Sequence, residues 1–311
     1  MESWFPSEGI ADQMRIRLLA KKRQLDQLRP FPTSALQRLK EDFAIEWTYN
    51  SNSIEGNTLS LRETRVVLQD GLTIGGKSLR EHFETHNHHK AIAWLEELVK
   101  PNHKLLSRDI LNLHSLVMQS IDDEFKGRFR NGRVRITGAN FIPPNPLKVA
   151  ELIDELVQWV NQNPQNLDPI GLAAVFHHRF VWIHPFFDGN GRTARLAMNI
   201  ILLSKGYPPA IILKVDRTKY YESLNLANTG KWDKLMLLMA QAAERSLDIY
   251  LSSLGGNNED FLPLSELAKE PRMPYGQEYL SLMARQGKIE AFKEGRVWYS
   301  SKEAVHRYLN S

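Results

Sequence analysis

The sequence predicts a mainly α-helical chain that ends in a small module of two short helices, a β-hairpin and a last helix. Three observations predict it. Apolar residues recur at three- and four-residue spacing through most of the chain. Serine and aspartate caps open several of those runs. Gly255-Gly256-Asn257-Asn258 marks a turn-rich boundary beyond which the runs become short.

Composition narrows the class. With 311 residues, 42% of them hydrophobic and 24% charged, the chain suits one large domain plus a small one. No stretch approaches the roughly eighteen uninterrupted apolar residues of a membrane span. Met1-Glu2-Ser3-Trp4 lacks the basic-then-apolar pattern of a secretory signal. The absence of cysteine excludes disulfides and thiolate chemistry and fits a reducing cytoplasm, the expected location. A formal charge of +4 is too diffuse to argue for nucleic acid, so a nucleotide would be met by local charge.

Taken in order, residues 10 to 30 carry Ile16, Leu18, Leu19, Leu25 and Leu28 among basic residues, an amphipathic helix stopped at Pro30. Leu36, Leu39, Phe43, Ala44 and Trp47 continue into Ser51-Asn52-Ser53-Ile54-Glu55-Gly56-Asn57. Ser51 and Glu55 are four apart on one helical face, and Gly56 or Asn57 can end the helix left-handed. Ser60 to Glu63 and Ser78 to Glu81 have capping-box spacing. The run Gly71 to Ser78 fits the P-loop pattern, but no strand precedes it and no α/β alternation follows. It reads as a loop and a cap. His82, His86, His88 and His89 lack zinc-site spacing and read as solvated or core-edge residues.

Leu106, Ile110, Leu113, Leu116 and Val117 predict a helix over residues 105 to 121. From Gly127 to Gly138 basic and apolar residues alternate, and period two predicts an extended strand or hairpin. Val149, Leu152, Ile153, Leu156, Val157 and Val160 predict a strong amphipathic helix. Asp168 and Pro169 are Ncap and N1 of the next, which carries His177 and His178, read as a packed or hydrogen-bonded pair. Gly206 stops a further helix, and Asp216 to Tyr221 opens another with Asn228 near its end. On local evidence Tyr221 and Asn228 serve equally as core packing and a cap. From Phe261 onward eight Lys or Arg stand against six Asp or Glu. That balance makes a protein-contact or dimerisation module as reasonable as a DNA-binding one.

Chemistry concentrates in His184-Pro185-Phe186-Phe187-Asp188-Gly189-Asn190-Gly191-Arg192-Thr193-Ala194-Arg195. The Asp-Gly-Asn-Gly turn bends sharply and opens onto a helix marked by Leu196, Ile200, Ile201 and Leu203. Free N–H groups and the helix dipole make that start a phosphate cradle. Arg192 and Arg195, three apart, share a face and offer forked donors to one polyphosphate. Asp188 is a hard oxygen ligand suited to Mg²⁺. His184, before a proline, is expected in extended geometry as a general base.

These residues match His-x-Phe-x-Asp/Glu-Gly-Asn-Gly-Arg-x-x-Arg without departure, and so the chain resembles the Fic family of AMP-transferases over roughly residues 35 to 250. The resemblance implies a mainly α Fic-fold bundle with a β-hairpin flap and AMP transfer from ATP to a Ser, Thr or Tyr of a target protein, with Mg²⁺. It implies that His184 deprotonates the hydroxyl, that Asp188 holds Mg²⁺, and that Phe187, Gly189, Asn190 and Gly191 surround the phosphates. Arg192 takes the β-phosphate and Arg195 the γ-phosphate. Ser-x-x-x-Glu-Gly at Ser51 and Glu55 resembles the family's inhibitory helix, about residues 44 to 57, whose glutamate pairs with the second motif arginine. Tyr220, Tyr221 and Asn228 are then adenine-pocket residues, and Arg135, Ile136, Thr137 and Gly138 a flap that clamps the target peptide. The expected divisions are a helical region at 1–100, the catalytic core at 101–250, a linker at 251–260 and a winged-helix-like domain at 261–311. Alternatives left open are removal of AMP, transfer of UMP, and a DNA-binding regulator that senses nucleotide. A homodimer is expected from the resemblance alone.

Overall fold

The centre of the molecule is a helical hairpin whose first arm has almost no polar face. The computed structural model describes residues 5–6, 9–139, 141–256 and 260–310, and in it helices Asp12–Gln27 (α1), Thr33–Ile54 (α2), Leu61–Arg65 (α3) and Leu79–Leu98 (α4) come first. They are followed by Ser107–Val117 (α5), Val149–Gln162 (α6), Pro169–Ile183 (α7), Asn190–Ser204 (α8), Arg217–Ala227 (α9) and Asp233–Ser253 (α10). α7 is buried from Ile170 to Phe180 without a break, as a helix enclosed by others must be. It lies against α6, α8 and α10, and α8 also meets α4 and α5.

Local chemistry fixes the helix starts. Asp168 accepts from the amides of Ile170 and Gly171 at 3.0 Å each, a cap worth about 1 kcal/mol. Ser60 and Ser78 both close capping boxes, so the segment with the P-loop pattern is a turn leading into α4. The core continues into α1 through Met14, Leu18 and Leu25 and into α2 through Phe43 and Trp47.

Beyond Gly256, Leu262–Pro263 (β1), Leu264–Leu267 (α11), Gln277–Arg285 (α12), Ala291–Glu294 (β2), Val297–Ser300 (β3) and Lys302–Leu309 (α13) follow. The strands form an antiparallel sheet of order β1-β3-β2, with Phe292 opposite Tyr299. Leu264, Leu267, Leu280, Met283 and Val305 make a second, smaller core. Asn257 and Asn258 of the expected linker, like Met1 to Trp4, lie outside the described residues. The module is fastened to the main body by polar contacts: Arg17 Nη2 donates to Gly287 O at 3.1 Å and Gln241 Nε2 to Ala284 O at 2.9 Å. Between them Lys21 of α1 is enclosed by Glu244, Asp248 and Glu290. Burial penalises its charge, but the three carboxylates hold its pKa above the ordinary range.

One element differs from expectation. Residues 127–139 form no strand ladder. The backbone from Asn131 to Ile136 alternates exposed and half-covered side chains, as period two requires, and a turn joins Ala139 N to Ile136 O at 3.2 Å. Side-chain alternation sets which way residues face, whereas a strand also needs a partner for its amides and carbonyls, and an isolated hairpin is marginal in water.

Candidate active site

The loop between α7 and α8 carries the motif, and its shape is set from inside. Asn190 does not point outward: its Oδ1 accepts from Phe186 N and its Nδ2 donates to Phe186 O, both at 2.9 Å. Phe186 is fully buried and stacks on His114 at 3.5 Å between ring centres. His114 Nδ1 accepts from Gly127 N at 2.9 Å, so its Nε2 carries the proton and donates to Asp188 O at 3.1 Å. Gly189, at φ +73°, caps the start of α8, where a side chain would strain the turn and meet Met118. The first amides of α8 have no acceptor within the helix and face the loop's mouth.

His184 ends α7 with φ 51° and ψ 64°, which corrects the expected extended geometry. A following proline disfavours the right-handed helical region, and here the left-handed region relieves that clash while Phe180 O still receives His184 N at 2.9 Å. Burial pushes the imidazole down to about 4; it is neutral at pH 7, the form able to accept a proton.

Asp188 is half-exposed and pairs with Arg80 at 2.5 Å and with Arg192 at 3.4 Å. Burial tends to raise its pKa, but the arginines and its hydrogen bond from Gly189 N hold it below the usual range. Arg192 also reaches Glu84 at 3.2 Å. Arg195 is buried, with Nε donating to Ser51 Oγ at 3.0 Å and Nη2 donating to Ser51 O and pairing with Glu55 Oε1, both at 2.8 Å. Its Nη1 is buried with no hydrogen-bond partner among the described residues. The Glu55 carboxylate lies over the start of α8: a Cβ on Gly191 would come within 2.0 Å of Glu55 Oε1. An anion therefore already lies where the loop and helix geometry favours one.

A cavity of about 600 Å³ adjoins these groups, within the range of small-molecule sites. It is lined by Glu55, His184, Asn190 and Gly191, by Tyr220, Tyr221, Asn225 and Asn228, and by Ile136, Thr137 and Gly138. Tyr220 is buried and its hydroxyl meets His177 Nε2 at 3.1 Å, while Asn228 Oδ1 meets His178 Nε2 at 2.9 Å. The two α7 histidines thus position Tyr220 and Asn228 on the cavity wall, and no metal-binding cluster of three or more His, Asp or Glu occurs among the described residues. Phe187 and Arg135 are not on the cavity wall. The Phe187 ring packs under Gly132 and edge-on to Phe125.

Sequence reasoning passed over Arg130, His114 and Arg217. Arg130 is buried and donates to the carbonyls of His184 at 2.8 Å, Gly132 at 2.9 Å and Pro144 at 2.7 Å, while its backbone N reaches Pro185 O at 2.9 Å. It ties the start of the extended segment, and the proline stretch beyond it, to the motif loop. The one available signal was a basic residue in an apolar setting, Phe129-Arg130, repeated several times nearby without such a role.

A sequence profile of the Fic/DOC family matches residues 104–202. Among curated proteins, Protein adenylyltransferase Fic of Drosophila erecta is 38% identical over 241 residues, spanning 77% of this chain and 48% of that protein. The protein of the same name from Aedes aegypti is 36% identical over 305 residues, 94% of this chain and 60% of that one. The chain thus spans about half the length of the curated relatives it matches. Among solved structures, Fic-1 (residues 134–508) of C. elegans is similar with a TM-score of 0.68 and 35% identity, covering 77% of this chain and 71% of that one. A Fic domain containing signaling protein from Bacteroides thetaiotaomicron has the same TM-score at 27% identity, covering 78% of this chain and 97% of its own.

Proposed function

Since this chain belongs to the Fic/DOC family, we propose that it is a protein adenylyltransferase, moving AMP from ATP to a hydroxyl side chain of a target protein, and that Glu55 restrains it. The observation that carries this reading is the Glu55 carboxylate on Arg195 and over Gly191, in the position a terminal phosphate needs. Arg offers the same forked donors to either anion.

In the productive state Glu55 leaves Arg195 to the γ-phosphate, and Arg192 takes the β-phosphate. The α8 amides near Asn190 and Gly191 hold phosphate oxygens, and the base lies toward Tyr221 and Asn228. Neutral His184 accepts the proton of the target hydroxyl. Its oxygen bonds to the α-phosphorus, the bond from that phosphorus to the oxygen bridging the β-phosphate breaks, and pyrophosphate departs. Most of the rate enhancement then comes from positioning and preorganised positive charge. Mg²⁺ fits at Asp188, a half-exposed carboxylate at the phosphate end whose present partner Arg80 is itself exposed. One carboxylate with phosphate oxygens and water is a familiar magnesium donor set, and the ion supplies charge neutralisation there. The open backbone of 135–138 receives the target peptide as an added strand. The C-terminal module is read as a winged-helix-like element for protein contacts, its balanced charge giving little attraction for DNA.

A second reading, removal of AMP from a modified target, is favoured by Glu55 and His184 bordering one cavity, where the carboxylate can orient a water. Transfer of label from α-³²P-ATP with Mg²⁺ to lysate proteins and to the chain itself tests the proposal. Glu55→Gly is expected to transfer label and Glu55→Gly with His184→Ala to transfer none. Absence of label from folded, ATP-binding Glu55→Gly would contradict it.

A further inference from the structure

The last turn of α2 carries Glu55 into the cavity, and a helix end is a weak point because its final carbonyls have no amide partners within the helix. Here two of those carbonyls are taken by guanidiniums from different elements. Arg195 Nη2 donates to Ser51 O at 2.8 Å, and Arg217 Nε donates to Ile54 O at 2.7 Å. The second contact is the closer one in the chain, since Ile54 O belongs to the peptide unit that supplies the Glu55 nitrogen. The same Arg217 guanidinium lies 4.9 Å from the centre of the Tyr221 ring, on the wall of the cavity. The turn that leads into Arg217 is anchored as well. Lys214 N donates to Asn50 Oδ1 at 2.8 Å, and Asp216 pairs with Lys293 of β2 at 2.7 Å.

From this geometry we infer that Arg217 is a positioning residue for Glu55, tying the Tyr221 ring on the cavity wall to the turn that carries the restraint. One guanidinium serves both Ile54 O and the Tyr221 ring, so an aromatic base seated on Tyr221 competes for the cation that holds the Glu55 turn. A cation at a helix C-terminus is favourable both as a donor and through the helix dipole, and its withdrawal loosens the turn. The effect on transfer rests on the proposed function; the effect on the turn does not.

Two readouts separate them. The amides of Glu55, Gly56 and Asn57 donate to Asn52 O, Ser53 O and Asn52 O at 3.0, 3.2 and 3.1 Å, so their hydrogen exchange reports the turn. In Arg217→Ala of the full chain their exchange is expected to quicken on the order of fivefold, the scale of one lost hydrogen bond, and Arg217→Lys to restore part of the protection. Adenosine, which carries the base without phosphates, should quicken the same amides in the wild type and not in Arg217→Ala. Label transfer should rise by a similar factor in Arg217→Ala, with KM for ATP no higher than in the wild type, and should rise no further when the change is added to Glu55→Gly. Unchanged protection in Arg217→Ala overturns the inference. So does transfer below that of Glu55→Gly in the double variant with a raised KM for ATP, which would make Arg217 a nucleotide ligand. If Glu55→Gly transfers no label, the functional reading fails while the exchange result still decides the role of Arg217. A melting curve confirms folding, and Arg217→Lys carries the test if Arg217→Ala unfolds.

Discussion

The C-terminal end of α2 and the segment 131–139 border the same cavity, yet one is held by guanidiniums from two other elements and the other only at its base. Around Glu55, Arg195 and Arg217 take up the carboxylate and two helix-end carbonyls. Along 131–136 the backbone runs without a ladder into a turn at 136–139, anchored through Arg130 at Gly132. The difference teaches how the two substrates are admitted under the proposed function. Seating ATP productively requires breaking contacts that exist, whereas seating a peptide requires only making contacts that are open. A restraint built from bonds can be tuned by anything that competes for them, and an open edge reads main chain more than side chains.

The comparison can be broken most severely at the base of the open segment. Arg130→Ala removes a buried donor from four carbonyls and should cost roughly 3 kcal/mol of stability, measured by urea denaturation. A loss no larger than that of an exposed arginine would mean that the segment is anchored otherwise. Acid attacks the support behind both ends. Burial holds His114 at about 4 and His178 at about 3, below the ordinary value near 6.5. The unfolded chain therefore takes up protons first as pH falls. The stability they contribute is whole above about pH 6.5 and drains as pH drops toward their folded values, by roughly 2 kcal/mol per histidine at pH 5. Urea midpoints at pH 7 and pH 5 check the sign. The smallest effect is expected at the open edge. Thr137→Pro removes one amide donor and should lower transfer to protein targets about tenfold in the Glu55→Gly background. Its stability should move by less than about 0.5 kcal/mol.

How far the molecule could be read in advance follows the range of the contacts. Ser60, Ser78, Asp168 and Gly206 act within four residues of themselves, and the helix ends lie where those residues predict. The crowding of base, acid, glycines and arginines between His184 and Arg195 was likewise local; of it His184, Asn190 and Gly191 line the cavity, and Arg195 meets the cavity through Glu55. The extended segment was legible in its alternation and misread in its pairing, because a partner strand is a distant fact. The proline after His184 excluded one backbone region and left two, and packing chose the left-handed one. Arg130, His114 and Arg217 make their decisive contacts with residues 54, 74 and 163 positions away, and no local pattern marks such pairings. The docking of the C-terminal module on Lys21, Arg17 and Gln241 was hidden for the same reason.

The account turns on Glu55 as a competitor held in place, and the initial rate of label transfer from α-³²P-ATP by Glu55→Gly relative to wild type tests that most directly. The Glu55 carboxylate is partly exposed and the Arg195 guanidinium that holds it is buried; such a contact is worth roughly 1 kcal/mol, so the account predicts a rise of about fivefold or more. Equal rates from two folded proteins that both bind ATP would contradict it.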